Sequence, residues 1–168
     1  PKGEAWEYAD IVRQADRWQD AYDLLKMAVE FAKNEDRRVN DSLQMARCAA
    51  HLGKVDEAIK LARSTFSTPA PGKAPILFAV LYEITPEALG KGKDLAVAKL
   101  IEDAIEQHEA ATVTTDSQAG RDFLAARAHH IRKAWDQVLK IYTAADRRDL
   151  AESALLKADN STDKSAKL

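Results

Sequence analysis

The residues of this chain most suited to chemistry are a cysteine and a histidine three positions apart. Cys48 and His51 would share one face of a helix, where the first two ligands of a metal site can meet. Zinc needs one or two further ligands, and the sequence contains neither a second cysteine nor an H-x-x-H pair to supply them. We therefore expect a buried thiol beside a partly exposed histidine, with no metal and no other cofactor.

Two further motifs fail at a required position. His108-Glu109 begins like the helix motif of zinc proteases, but Thr112 stands where the second histidine is required. Gly90-Lys91-Gly92 lacks both the preceding strand and the spacing of a phosphate-binding loop. Because no acid, base and nucleophile form a recognisable set, the sequence predicts a protein that is not an enzyme.

The charge and hydropathy patterns argue against two classes of partner. The 168 residues include 25 basic and 27 acidic side chains, for a formal net charge of −2. This balance gives no electrostatic attraction to a nucleic-acid backbone or to an anionic membrane. The longest apolar run, residues 74–82, is much shorter than the ~20 residues that span a bilayer. We expect neither nucleic-acid binding nor a membrane segment.

The cysteine count and the first residue leave the localisation unknown. A single cysteine cannot form an intrachain disulfide, which favours a reducing compartment such as the cytoplasm. The sequence begins at Pro1 without a methionine, so the bacterial periplasm is the alternative if a leader has been removed.

Apolar residues recur in four segments with internal spacings of 3, 4 and 3, the pattern of one helix face. The segments are Trp18-Ala21-Leu25-Ala28, Val55-Ala58-Ala62-Thr65, Leu95-Ala98-Glu102-Ile105 and Trp135-Val138-Tyr142-Ala145, with Glu102 as the one misfit. They begin at residues 18, 55, 95 and 135, in steps of 37, 40 and 40 residues. Steps of this size are typical of stacked helix pairs, in which each pair buries its apolar face against its neighbours.

The helices predicted from periodicity and breaker residues span 4–15, 18–34, 40–52, 55–66, 75–84, 94–110, 118–132, 135–145 and 147–158. Residues 85–93 are predicted to form an inserted loop with one helical turn. Its Lys91 and Lys93 either reach a partner or belong to a tolerated surface insertion. Residues 159–168 are predicted to be a flexible tail. No segment alternates with period two, so we expect no β-sheet.

The spacing of small residues resembles the tetratricopeptide repeat family. Ala9, Ala46 and Ala126 each stand nine residues before the first residue of an apolar segment, that is, before Trp18, Val55 and Trp135. Residues 46–61 form the clearest unit. The resemblance covers about residues 4–158. It implies an all-α, right-handed superhelical solenoid of about four antiparallel helix pairs plus a C-terminal capping helix. The implied units are residues 4–36, 39–68, 74–110 and 117–146, with the capping helix at 147–158. Because the steps exceed the family's 34 residues, a more distant helical-hairpin family is the alternative.

The resemblance also implies a concave groove lined by the first helix of each pair. The candidate binding residues in this register are Trp6, Asp10, Arg13, Arg47, His51, Phe123, Arg127 and His130. Leu43 and Ala50 belong to the same sets, and Gln14 flanks them. Arginine pairs bidentately with carboxylates and aromatic side chains supply contact area, so the set predicts a protein or peptide partner, acidic partners included. The alternative is an ordinary solvated helix face.

The sequence therefore predicts a non-enzymatic scaffold that binds a protein or peptide in the groove. The alternative is a structural module that self-assembles, or a piece of a longer repeat protein. Exposure of Trp6, Tyr8 and Val12 as one apolar patch would favour that alternative. His129 occupies an apolar slot and is predicted to pack in the core.

Overall fold

The computed structural model describes residues 2–67, 76–110 and 116–165, without the side chains of Ala119, Phe123 and residues 162–165. Within these ranges every regular element is helical and none is a strand, which confirms the predicted all-α class. None of the described helices combines the length and the apolar character needed to cross a membrane.

The helices of the described ranges are α1 (Ala5–Gln14), α2 (Trp18–Glu30), α3 (Glu35–His51), α4 (Val55–Arg63), α5 (Ile76–Ala79), α6 (Thr85–Ala88), α7 (Asp94–Ala110), α8 (Gln118–Ala144) and α9 (Arg148–Ser165). A 3-10 turn precedes α1, and a π-helical segment, Val80–Ile84, joins α5 to α6. The chain divides into two compact units. The first comprises Pro1–Thr68 and Tyr82–Lys93, and the second comprises Pro69–Leu81 and Asp94–Leu168.

In the first unit, consecutive helices pack side by side. α2 packs against α1 and α3, α3 also packs against α4, and α6 lies on α3. Small side chains let two helices approach closely. Ala9, Ala21, Ala46 and Ala58 are all buried at these interfaces. The predicted packing positions Ala9 and Ala46 are therefore confirmed, whereas Ala126 is half-buried in the middle of α8.

In the second unit, α7 packs against α5 and α8, and α8 packs against α9. Large aliphatic residues fill its core, and Leu77, Leu100, Ile101 and Val138 are fully buried.

The same turn joins α1 to α2, α3 to α4, and α8 to α9. The second residue after each helix has a positive φ, of 60° at Asp16, 81° at Gly53 and 53° at Asp146. In each turn the amide of the following residue donates to a carbonyl five residues earlier, as Arg17 does to Val12. The positive-φ residue itself donates to a carbonyl three residues earlier. This pair of bonds is the Schellman motif, which satisfies the last carbonyls of a helix. The predicted breaks after α1 and α3 are confirmed.

The fourth predicted helix pair is wrong. Residues 118–132 and 135–145, predicted as two helices, form the single 27-residue helix α8. Lys133 and Ala134 both favour a helix, and neither has the positive φ found where α1 and α3 end. Trp135 therefore lies inside a helix and does not begin one, and the helix that forms a hairpin with α8 is α9.

α9 extends beyond the predicted capping helix. The sequence predicts a flexible tail from residue 159, but residues 159–165 continue the helix, and residues 166–168 lie outside the described ranges. Asn160 and Ser161 are poor helix formers. However, Ser161 is buried and its Oγ accepts a hydrogen bond from Nε1 of Trp135 at 3.3 Å. Packing against α8 thus outweighs the local preference.

The start of α3 is earlier than predicted. α2 ends at Glu30 and α3 begins at Glu35, whereas the sequence predicts a helix to 34 and the next from 40. Asn34 caps α3, since its side-chain oxygen accepts a hydrogen bond from the amide of Arg37 at 2.8 Å. Asparagine followed by acidic residues in the first turn is a standard helix start.

Residues 76–88 form one helical run that changes its hydrogen-bond spacing. The predicted single turn in the 85–93 insertion is confirmed as α6, and Gly90 and Gly92 follow it with φ of 78° and 80°. Pro86 has no amide hydrogen to donate to the carbonyl four residues earlier. The π-helical segment ends at Ile84, two residues before this proline, where regular α-helical bonding is interrupted.

Candidate functional site

The indole of Trp18 is the centre of a cluster of aromatic and charged side chains in the first unit. Trp18 is the first residue of α2, and His51, the last residue of α3, stacks on it with ring centroids 3.8 Å apart and an interplanar angle of 9°. The guanidinium carbons of Arg13 and Arg47 lie 5.8 and 5.9 Å from the indole centroid. We call these residues, together with Glu87, the Trp18 cluster.

The turn before α2 fixes the orientation of the indole. Nε1 of Trp18 donates a hydrogen bond to Oδ1 of Asp16 at 2.8 Å. Asp16 is the positive-φ residue of the Schellman motif, so the turn that ends α1 also positions the aromatic ring. A cation near an indole face contributes ~0.5–1 kcal/mol at an exposed site, so two arginines stabilise the cluster modestly.

Glu87 of α6 supplies the carboxylate of the cluster. Its Oε2 lies 2.8 Å from Nδ1 of His51, and its Oε1 lies 4.0 Å from Nε of Arg47. Arg47 Nε is buried and has no hydrogen-bond partner, so Glu87 compensates its charge without satisfying that donor. Arg13 instead pairs with Asp10 on α1. The cluster thus presents two guanidinium groups, an imidazole and an indole, with a carboxylate already bound to α3.

Cys48 lies close to this cluster as a buried thiol. The thiol is fully buried, and burial raises its pKa to about 11, against the opposing influence of Arg13 and Arg47. It is therefore a protonated, packed thiol at neutral pH. In the described ranges, no three His, Cys, Asp or Glu side chains are grouped so that they could hold a metal ion.

Of the remaining candidate residues of α1, Trp6 forms a second cation–aromatic contact and Asp10 pairs with side chains of its own helix. Trp6 is half-buried, with the guanidinium of Arg37 3.6 Å from its ring centroid. Arg37 also binds both oxygens of Asp41, whose side chain is 0% exposed. Asp10 is exposed and accepts from Gln14 at 2.8 Å. The structure thus brings Trp6, Asp10, Arg13, Arg47 and His51 together in one unit.

Two positions predicted to face the groove are buried. Leu43 is 4% exposed and Ala50 is fully buried, so both belong to the core of the first unit. Within residues 41–51 of α3, only the stripe Gln44, Arg47 and His51 remains partly accessible. The predicted register is therefore one position off at Leu43 and Ala50 but correct at Arg47, because the apolar positions of an alanine-rich helix fit more than one register.

The candidate residues of α8 lie in the second unit and serve other contacts. A terminal nitrogen of Arg127 donates to the backbone oxygens of His108, at 2.9 Å, and of Glu109, at the end of α7. The ring of His130 meets that of Phe78 edge-on at 5.5 Å, and burial lowers the pKa of His130. The side chain of Phe123 lies outside the description. His129 is exposed, so the prediction that it packs in the core is wrong.

A cavity of about 340 Å³ lies between α7, α8 and α9 of the second unit. Glu102, the misfit of its apolar segment, lines it and accepts hydrogen bonds from Tyr142 at 2.5 Å and from Lys157 at 2.6 Å. Asp103 pairs with Lys99 at 3.0 Å. The misfit is thus a bridging carboxylate, held by Tyr142 and Lys157.

Comparison with protein-family models, with curated proteins and with solved structures gives no match for this chain. The tetratricopeptide resemblance therefore stays a prediction, supported by residues and turns alone.

Two members of the cluster were not predicted as site residues. Trp18 fills an apolar slot in sequence, and its contact with His51 depends on how the start of α2 meets the end of α3. Glu87 lies in the insertion, where the sequence argument considered only lysines. Glu83 and Glu87 are four residues apart, and this spacing on a helical turn was the available signal.

Proposed function

We propose that this chain is a non-enzymatic scaffold that binds a protein or peptide on the face formed by α1 and α3. The observation that carries the proposal is the Trp18 cluster, in which an indole, an imidazole and two guanidinium groups meet at a partly exposed surface. Aromatic and arginine side chains in such positions contribute most of the energy of protein interfaces.

The architecture proposed for this scaffold is a tetratricopeptide-like array. Support comes from the two hairpins α1–α2 and α3–α4, which share the same Schellman turn at a sequence offset of 37 residues. Stacked hairpins of this kind present their first helices on one side. The helix α8, which is continuous, does not follow this plan, so the proposal for a repeat array concerns the first unit.

The chemistry of the face favours an acidic partner. Arg13, Arg47 and His51 can each donate to a carboxylate, and a carboxylate of the chain itself, that of Glu87, already lies against two of them. An acidic residue on a partner would meet the same donors.

An array of synthetic helical peptides tests the proposal. Pairs of peptides should differ only in whether glutamate or glutamine occupies each charged position. We expect the chain to retain glutamate peptides preferentially, and Arg13→Glu to abolish this preference. Arg38→Glu is the matched control, because Arg38 is an exposed α3 residue paired with Glu35. No retention by the wild type, or the same retention by Arg13→Glu, would refute the proposal.

Self-association is the second candidate function, and one observation favours it. Tyr8 and Ile11 lie three residues apart on α1 and are 63% and 64% exposed. Trp6 and Val12, the other residues of the predicted end patch, are half-buried. Light scattering across a concentration series tests this function. The wild type should associate as its concentration rises, whereas the double variant Tyr8→Ser with Ile11→Ser should stay monomeric. A monomer at every concentration in the wild type would exclude it.

A further inference from the structure

Residues 82–93 pack within the first unit. The chain on both sides of this segment belongs to the second unit, whereas Tyr82–Lys93 belongs to the first. The segment contacts α3 through α6, and Ile84, Thr85 and Ala88 are almost completely buried. The insertion predicted from the sequence is therefore a docked element of the first unit and not a free surface loop.

Two carboxylates of this segment meet the accessible stripe of α3. Glu83 and Glu87 are four residues apart, and Gln44, Arg47 and His51 are spaced by three and four on α3. Nε2 of Gln44 donates to Glu83 at 2.6 Å, and Nδ1 of His51 lies 2.8 Å from Glu87. A short acidic helical run thus lies against His51 and Arg47, which the sequence predicts for an acidic partner, and against Gln44, which it does not.

Two lysines complete the attachment. Nζ of Lys91 donates to the backbone oxygens of Ala50 and His51 at 2.6 and 2.7 Å, at the end of α3. Nζ of Lys93 lies 3.0 Å from Oδ2 of Asp56, a pair whose side chains are 50% and 73% exposed. Cations favour the carbonyl end of a helix, and exposed ion pairs are weak. Both lysines therefore contact the chain itself, and the exposed Lys93–Asp56 pair is the weaker of the two attachments.

We propose that residues 82–93 are an internal ligand of the α3 stripe, and that the external partner is an acidic helical peptide with carboxylates four residues apart that competes with them. This inference rests on the proposed function and specifies its partner. The internal segment has the advantage of being tethered, because a linked ligand acts at a high effective concentration. Weakening its two carboxylate contacts should make the stripe more available to a peptide added in solution.

The test uses the full chain and a fluorescent peptide that copies residues 80–93, together with a copy in which both glutamates are glutamine. The variant is Glu83→Gln with Glu87→Gln, which keeps the shape of the segment and removes its charges. We expect the variant to bind the glutamate peptide at least ~10-fold more tightly than the wild type does, because two charge-assisted contacts no longer compete. It should also prefer that peptide to the glutamine copy. Glu152→Gln, an exposed substitution on α9, should behave as the wild type.

Hydrogen exchange of the amides of residues 84, 85 and 87–89 provides a second measurement on the same variants. Faster exchange in the double variant, with unchanged exchange in α9, supports release of the segment. Equal peptide affinity in wild type and double variant, or equal exchange in both, would overturn the internal-ligand proposal. If the wild type retains acidic peptides on the array and the double variant gains nothing, the proposed function stands and only this inference fails.

Discussion

His108 should make the second unit sensitive to acid. The side chain is 1% exposed at the end of α7, and burial lowers its pKa from 6.5 to about 4, with further lowering by Arg127 and His130. Between these two pH values the unfolded chain takes up a proton that the folded chain does not. The free energy of unfolding therefore falls as the pH falls through this window, and the contribution is fully present above pH 6.5.

The magnitude follows from the difference between the two pKa values. A change from 6.5 to about 4 corresponds to ~3 kcal/mol of unfolding free energy, lost between neutral pH and pH 4. Replacing His108 by glutamine removes the titrating group while keeping a polar side chain of similar length. We expect His108→Gln to lose ~3 kcal/mol less than the wild type does over the same pH interval.

Urea unfolding at pH 7 and pH 4, followed by circular dichroism and tryptophan fluorescence, measures this difference. Trp135 of α8 reports on the second unit, since its side chain is buried and donates a hydrogen bond to Ser161 of α9. His129→Gln is the matched control, because His129 is a histidine of the same unit whose side chain is exposed. This variant should show the same pH dependence as the wild type. The same pH dependence in wild type and His108→Gln would refute the argument from burial.

Three further substitutions test the packing and the turns. Arg37→Ala leaves the buried carboxylate of Asp41 without its partner and should cost ~3 kcal/mol in chemical unfolding, whereas Arg38→Ala, in an exposed pair, should cost under ~0.5 kcal/mol. Gly53→Ala should cost ~1 kcal/mol, because φ is 81° and an added Cβ meets no atom within 4 Å, so only the backbone is strained. Asp146→Gly should raise the stability by ~0.5 kcal/mol in thermal unfolding, since it relieves a φ of 53° on an exposed residue. A loss of stability in Asp146→Gly would contradict the shared-turn assignment.

The helices of the first unit and their pairing were largely predictable from the sequence, but the pairing of α8 with α9 was not. Trp18 and Val55 begin helices because a residue with positive φ ends the helix before each of them. Trp135 has the same apolar spacing, yet it lies inside α8, because the equivalent turn is at Asp146. In a chain this rich in alanine the spacing of apolar residues recurs by chance, and the turn residue decides where a hairpin closes.

The candidate site was predictable only in part, for a physical reason. Arg47 and His51 follow from position along one helix, which local periodicity specifies. Their contacts with Trp18 and Glu87 depend on packing between elements that are distant in sequence. Similarly, Arg127 has the arginine chemistry predicted for a groove, but it donates to backbone oxygens at the end of α7. Periodicity does not encode which of these partners an arginine will find.

The indole N–H resonances of Trp6, Trp18 and Trp135 test the central claim most directly, because they report on the α1–α3 face and on the second unit in one spectrum. The measurement is a titration of the ¹⁵N-labelled chain with the glutamate peptide that the array selects. The account predicts a shift of the Trp18 resonance, whose N–H donates to Asp16 beside the proposed binding face, and an unchanged Trp135 resonance. A peptide that shifts Trp135 and leaves Trp18 unchanged would contradict it.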